Sequence, residues 1–344
     1  MTGIGIIGCG KIAQVRHIPE YADNAQARII GFFDFNKARA EELAAKYDAK
    51  AYDTLEELLA DSRIEAVSVC VANVAHCEVT VKALKAGKHV LCEKPMAITI
   101  EECQLMVDTA RECGKKLMIG QNQRLAKAHV EAKKMIDAGE IGRIISFHTA
   151  FGHSGPENWS VDPGKNTWFF DKKQAAMGVM ADLGIHKTDL IQYLTGQEVK
   201  AVSARLVTLD KTGPDGQPIG VDDNAICIYE MDGGAIGTMT ASWTYYGAED
   251  NSTVIFGTEG SISIYEIDRA PIVLRKKGGI VETFEVEQIQ TNDNQTKSGI
   301  IDAFMDCLVN DTEPSIPGYG VLAAMKAVFA AIESSEKGER ITIG

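Results

Sequence analysis

The chain has 344 residues, 45% hydrophobic and 24% charged, with a net charge of −13 and a pI near 5.1. That length suggests two domains, and the composition is that of a globular protein with ample apolar surface to bury. The acidic field disfavours nucleic acid and anionic membranes as partners, and no apolar run reaches the length of a membrane span. The opening "MTGIGIIGCG" lacks a basic leader and a long apolar run. Eight cysteines, at positions 9, 70, 77, 92, 103, 113, 227 and 307, form no C-x-x-C pair. Scattered thiols of this kind predict a reducing, cytoplasmic setting rather than a disulfide framework.

In chain order, "GIGIIG" reads as a strand and "IAQVRHIPEYA" as a helix. The pairs "ARIIGFFD" and "NKARAEELAAKY", "EAVSVCVA" and "HCEVTVKALKAG", and "KHVLCE" and "TIEECQLMVDTARECG" repeat the pattern, and "KKLMIGQ" adds a strand. Continuous apolar strands alternating with amphipathic helices predict a parallel sheet covered on both faces, hence a doubly wound Rossmann domain over 1–122. The character then changes. A helix "KAHVEAKKMIDAG", a strand "GRIISFHTAF" and an irregular loop from His153 to Asn166 lead to the helical "MADLGIHKTDL". From Val199 come seven strand patterns with Gly turns, then two helices, "GIIDAFMDCLVN" and "GVLAAMKAVFAAIESSEKG", and a short strand "RITI". Alternating polar and apolar positions predict antiparallel strands with one covered face. Residues 123–344 therefore read as an α+β domain on a large, mostly antiparallel open sheet, its last residues free to pack back on the first domain. The fold class is α/β.

"GIIGCGKIA" places Gly8, Gly10 and Ala13 in G-x-G-x-x-A spacing between the first strand and the first helix. Gly8 permits a tight turn, Gly10 lets a pyrophosphate approach, and Ala13 keeps helix and strand close. The helix start at Lys11 and Ile12 offers free N–H groups to phosphates. Asp34 ends the second strand, where a carboxylate accepts ribose hydroxyls and repels a 2′-phosphate. NAD is thus favoured over NADP, with Lys37 and Arg39 as nearby cations pulling the other way. No His or Cys set stands at metal-ligand spacing.

Ligands of open parallel sheets bind beyond the strands' carboxyl ends. Glu93 and Lys94 of "CEKPMA", Asn73 and His76 of "VANVAHC", and Asn122 and Arg124 all follow such ends. At 3.6 residues per turn, "MADLGIHKTDL" puts Asp182, His186, Asp189 and Tyr193 on one stripe, opposite Leu183, Leu190, Ile191 and Leu194. A solvated face is the plain explanation; a catalytic seam is the sharper one. Before it, His153, Trp159, Asn166 and Trp168 form a polar and aromatic loop suited to a polyhydroxylated ring.

"GIIGCGKIA", "VCVANVAHCEVTVKALKAGKHVLCEKPMA" and "GVMADLGIHKTDL", in that order, resemble the Gfo/Idh/MocA family of sugar and polyol oxidoreductases across the chain. The resemblance implies hydride transfer between NAD(H) and a secondary hydroxyl or ketone of a sugar, inositol or sugar derivative. His186 would be the acid/base, Lys94 would polarise the reacting oxygen, and Asp182 would orient substrate and histidine. It further implies a homodimer or homotetramer joined through the C-terminal sheet. A histidine base predicts a pH profile rising through a group near neutrality. Two departures stand out: "VANVAH" lacks the proline of the family's T-P-N-x-x-H, and "AAMGVMAD" lacks a Gly-Gly run. A non-catalytic NAD-binding regulator, and a glycoside hydrolase acting by transient oxidation, are the alternative functions.

Overall fold

The computed structural model describes residues 1–267, 270–286 and 297–344. Strands β1 (Thr2–Ile7), β2 (Ala27–Phe33), β3 (Lys50–Ala51), β4 (Ala66–Val69), β5 (His89–Cys92) and β6 (Leu117–Ile119) make a six-stranded sheet ordered β3-β2-β1-β4-β5-β6. Every pairing in it is parallel. Helices α1 (Ile18–Asp23), α2 (Lys37–Lys46), α3 (Leu55–Ala60), α4 (His76–Lys85) and α5 (Ile100–Glu112) lie between the strands in sequence. Ile4, Ile6, Val67, Val69, Val90 and Leu91 are fully buried, as strands covered on both faces require. The chain order reverses between β1 and β4, so a crevice opens beyond their carboxyl ends.

The sequence reading missed β3 and α3. The strand is a two-residue edge, and α3 is a short helix announced only by Thr54, whose side chain accepts from the Glu57 amide. The first helix also begins irregularly, with a π-turn over Ala13–His17 before α1.

Helix α6 (Lys127–Asp137) leads into the second sheet. Its strands are β7 (Ile144–Gly152), β8 (Val199–Val207), β9 (Asn224–Met231), β10 (Ile236–Ser242), β11 (Thr253–Gly257), β12 (Gly260–Ile267), β13 (Ala270–Lys276), β14 (Val281–Phe284) and β15 (Ile341–Thr342). Their order is β14-β13-β12-β11-β7-β10-β9-β8-β15, antiparallel except for the β7–β10 pair. Between β7 and β8 run the short α7 (Lys172–Ala175), a second π-turn over Met180–Gly184, and α8 (Ile185–Thr195), which ends at Gly196 in left-handed conformation. Helix α8 packs on β7, while α10 (Leu322–Lys337) packs on β8 and α8. The outer sheet face leaves Ile145, Ile226, Ile228, Ile236 and Phe256 exposed.

Helix α9 (Ile300–Val309) and the segment after it return to the first sheet. The Ile119 amide donates to the Ile316 carbonyl at 3.1 Å, and Asn24 donates to Asp302 at 2.7 Å. Among the described residues, no helix is long and apolar enough to cross a membrane.

Candidate active site

A cleft of about 590 Å³ lies between the carboxyl ends of the first sheet and the π-turn that precedes α8. Its floor begins at the glycine turn. Gly8 has φ +91°, and a Cβ there would lie 2.5 Å from the Cys70 carbonyl oxygen, so only glycine fits. A Cβ at Gly10 would meet nothing within 4 Å, which leaves that backbone open to a ligand. The helix that follows has no side-chain cap, so its amides are available to phosphates. Lys11 and Ile12 line the cleft; Ala13 does not, because it is fully buried under the turn and acts by packing.

Asp34 reaches back to the same turn, accepting from the Cys9 amide at 2.6 Å and the Asn36 amide at 2.7 Å. The two cations that complicated the cofactor choice are both engaged: Lys37 with Asp53 at 2.5 Å, Arg39 with Asp162 at 3.0 Å. These residues fit a dinucleotide whose ribose is unphosphorylated.

Glu93 closes β5 and is 4% exposed. It faces His17 Nε2 at 2.9 Å and Arg16 at 3.4 Å, and accepts from the Lys94 amide at 3.1 Å. Burial pushes its carboxyl up, but the His17 bond and the Arg16 charge outweigh this and hold it well below the usual carboxylate range. His17 Nδ1 lies 3.0 Å from the Ser68 hydroxyl, so the network is braced from β4. Lys94, joined to Pro95 by a cis peptide, sends its side chain across the cleft.

There Lys94 Nζ donates to the Asp182 carbonyl at 2.7 Å and to Asp182 Oδ1 at 2.8 Å. An ammonium has three N–H donors, so one remains for a ligand. Trp243 Nε1 donates to Asp182 Oδ2 at 3.0 Å, which uses the second carboxylate oxygen. Burial raises the Asp182 pKa, yet the charge of Lys94 prevails and the carboxyl stays below its ordinary value. Asp182 makes no hydrogen bond to His186 among the described residues; its carboxylate binds Lys94 and Trp243 instead. The 3.6-residue wheel is corrected, since the π-turn over Met180–Gly184 adds a residue upstream of His186. Asp222 fixes that turn by accepting from the Gly178 amide at 2.9 Å and the Met180 amide at 2.8 Å. A Cβ at Gly178 would collide with the Asp222 backbone, so glycine is required.

His186 is 6% exposed, and its Nδ1 is buried with no partner among the described residues. Burial, then the charge of Lys94, drives its pKa well below 6.5. The imidazole is therefore neutral near neutral pH, and its titration lies below the near-neutral one expected from the sequence. His153 shares the cleft with Phe151 between the two rings, its centroid 6.0 Å from His153 and 6.1 Å from His186. Trp159, Asn166 and Trp168 line the wall.

Several expected contacts act differently. Arg124 is not in the cleft: its Nε and NH2 grip both Asp189 oxygens, and its guanidinium lies 5.7 Å from the Tyr193 ring centroid. The far half of the stripe is therefore an anchor for α8. His76 lines the cleft, but its ring nitrogens face the Pro95 carbonyl at 2.6 Å and the Val71 carbonyl at 3.1 Å, stapling the two loops. Asn73 lines it as well while donating to the Ala175 carbonyl at 2.9 Å, a bridge between domains. Asn122 lies on the lining, and its side chain makes no hydrogen bond among the described residues. The sequence reading missed Arg16, His17 and Trp243. For Trp243 a signal existed: it continues the buried face of β10, and a buried indole needs an acceptor. No cluster of His, Cys, Asp or Glu among the described residues is arranged to hold a metal.

Fold and cleft together define a two-domain dinucleotide-binding protein. The chain belongs to the Gfo/Idh/MocA oxidoreductases: residues 2–121 match "Oxidoreductase family, NAD-binding Rossmann fold", and residues 129–263 match the "GFO/IDH/MocA C-terminal domain". Levoglucosan dehydrogenase of Pseudarthrobacter phenanthrenivorans is 34% identical over 60% of this chain and 56% of its own length. Glucose-6-phosphate 3-dehydrogenase of Bacillus subtilis is 35% identical over 65% and 63%. The scyllo-inositol 2-dehydrogenase (NAD(+)) of Bacillus subtilis is 27% identical over 97% and 94%. A solved levoglucosan dehydrogenase in complex with NADH superposes with a TM-score of 0.89 at 25% identity, covering 100% of this chain and 99% of that one.

Proposed function

We propose that the protein is an NAD-dependent dehydrogenase of a secondary hydroxyl on a sugar, inositol or sugar derivative, with Lys94, Asp182 and His186 as its catalytic residues. The observation that carries this is a buried histidine that shares one cleft with a lysine held by an aspartate and with an open glycine turn. When bound, NAD supplies the hydride acceptor. Gly8, Gly10, Lys11 and Ile12 would bind its phosphates and Asp34 its ribose, with Asn73, Glu93 and Asn122 further along the cleft.

His186, neutral at neutral pH, takes the hydroxyl proton on its unprotonated ring nitrogen. Lys94 turns its remaining N–H toward the oxygen that becomes a carbonyl and stabilises the charge developing there. Asp182 keeps that ammonium aimed, itself fixed by Trp243. Residues 1–122 and 123–344 act as cofactor and substrate domains. The eight unpaired cysteines support a cytoplasmic setting. The exposed Ile226, Ile228, Ile236 and Phe256 on one sheet face support a homodimer or homotetramer through that sheet, to be checked by sedimentation. The direct test is NADH formation with a panel of inositols and aldoses. Tight NAD binding without turnover of any of them would favour a regulator instead.

A further inference from the structure

We infer that the substrate is an uncharged ring polyol or glycoside, and that sugar phosphates and sugar acids are rejected by charge. The inference rests on the dehydrogenase reading above and narrows its substrate class. The relatives' names span neutral and phosphorylated sugars, so the choice falls to this chain's own residues.

The cleft has four lysine or arginine side chains along its described lining, and three face a carboxylate. Arg16 is paired with Glu93 at 3.4 Å, Lys94 with Asp182 at 2.8 Å and Arg39 with Asp162 at 3.0 Å. The fourth, Lys11, is engaged as well. The lining histidines add no positive charge. Burial lowers the pKa of His76, His153 and His186 alike. A phosphate or carboxylate on the substrate would therefore have to lie against Glu93, Asp182 or Asp162, or break a pair and strand its carboxylate. Either arrangement is unfavourable, most of all beside the buried Glu93 and Asp182.

Neutral hydroxyls meet no such barrier, and the donors present suit them. His153 Nδ1 accepts from the Gly155 amide at 3.0 Å, so the neutral ring carries its proton on Nε2 as a donor. The Trp159 indole N–H is buried with no acceptor among the described residues. Beside them Trp168 and Phe169 stack with centroids 4.0 Å apart and planes at 27°, and Trp159 stands edge-on to Phe169 at 5.2 Å. This is an apolar wall for the C–H face of a sugar ring, with polar groups at its rim.

Matched pairs test this: glucose with glucose 6-phosphate, myo-inositol with its monophosphate, and methyl glucoside with methyl glucuronide, assayed for NADH formation. The expected result is that the neutral member of a pair is oxidised and kcat/KM for its charged partner is lower by about a hundredfold or more. A charged member equal to or better than its neutral partner overturns the inference and leaves the dehydrogenase reading standing. If no member of any pair is oxidised, the dehydrogenase reading falls instead. Tryptophan fluorescence of the NADH complex then decides the charge rule: quenching by neutral sugars alone supports it, and tighter binding of the phosphates overturns it.

Discussion

Asp182 is the residue whose structural role departs furthest from a simple substrate contact, and Asp182→Asn isolates that role. The substitution keeps the shape and an oxygen for Trp243 or Lys94, and removes the charge. In the wild type the carboxylate is 6% exposed and sits 2.8 Å from an ammonium whose side chain is 16% exposed. Removing one partner of a fully buried pair costs about 3–5 kcal/mol. The partial exposure of Lys94 lets water repay some of that, so about 1–3 kcal/mol is expected here. If the loss falls on the transition state, kcat/KM drops by roughly tenfold to a hundredfold. Because Lys94 is freed to wander rather than removed, the drop should be mainly in kcat, with NAD affinity nearly unchanged. Steady-state NADH formation gives kcat and KM, and a fluorescence titration gives the NAD Kd. A variant within about twofold of wild type in kcat/KM would show that the Lys94–Asp182 pair does not organise the reacting oxygen.

The remaining predictions concern titration, cofactor choice and stability. With His186 neutral well below 6.5, the oxidation profile should be flat in this group from neutral pH to well below it, with its acid limb displaced downward. Lys94→Met, which deletes the second-largest cause of that shift, should move the limb back up; an unchanged limb would assign it elsewhere. NAD should bind more tightly than NADP, and Asp162→Asn, by releasing Arg39, should shift the ratio toward NADP by several-fold, about the worth of an exposed pair. A wild type that already prefers NADP would refute the reading of Asp34. His129 is fully buried, and burial lowers its pKa to about 3. The unfolded chain takes up this proton below about 6.5 and the folded one does not, so stability falls as pH drops from about 6.5 toward 3 and is flat above that window. At pH 5 this single group costs about 2 kcal/mol. Thermal melts of wild type and His129→Gln should therefore diverge less at pH 5 than at pH 7.

Much of the fold could be read from strand periodicity because buried parallel strands are nearly unbroken apolar runs, as at Ile4–Ile7 and Val90–Cys92. The edge strand β3 carried no such run, and its neighbour α3 is shorter than two turns. Chemical groups could be placed wherever they followed a strand end or a glycine fingerprint, which is how Lys94, Asp34 and Gly8 were found. What escaped was orientation. Ideal helical spacing could not foresee the π-turns at Ala13–His17 and Met180–Gly184, and those turns carry Arg16, His17 and Asp182 toward the cleft. Nor could spacing show that Arg124 would be consumed by Asp189, since the two lie 65 residues apart in the chain.

The central claim is that His186 is the base that takes the hydroxyl proton as hydride leaves the same carbon. Single-turnover NADH formation by His186→Ala, with NAD bound and a neutral ring sugar deuterated at the reacting carbon, measures it most directly. The account predicts a rate lower by roughly a hundredfold or more, an unchanged NAD Kd, and a primary isotope effect at least as large as in wild type. Near-normal turnover in His186→Ala would contradict it and remove the histidine from the mechanism.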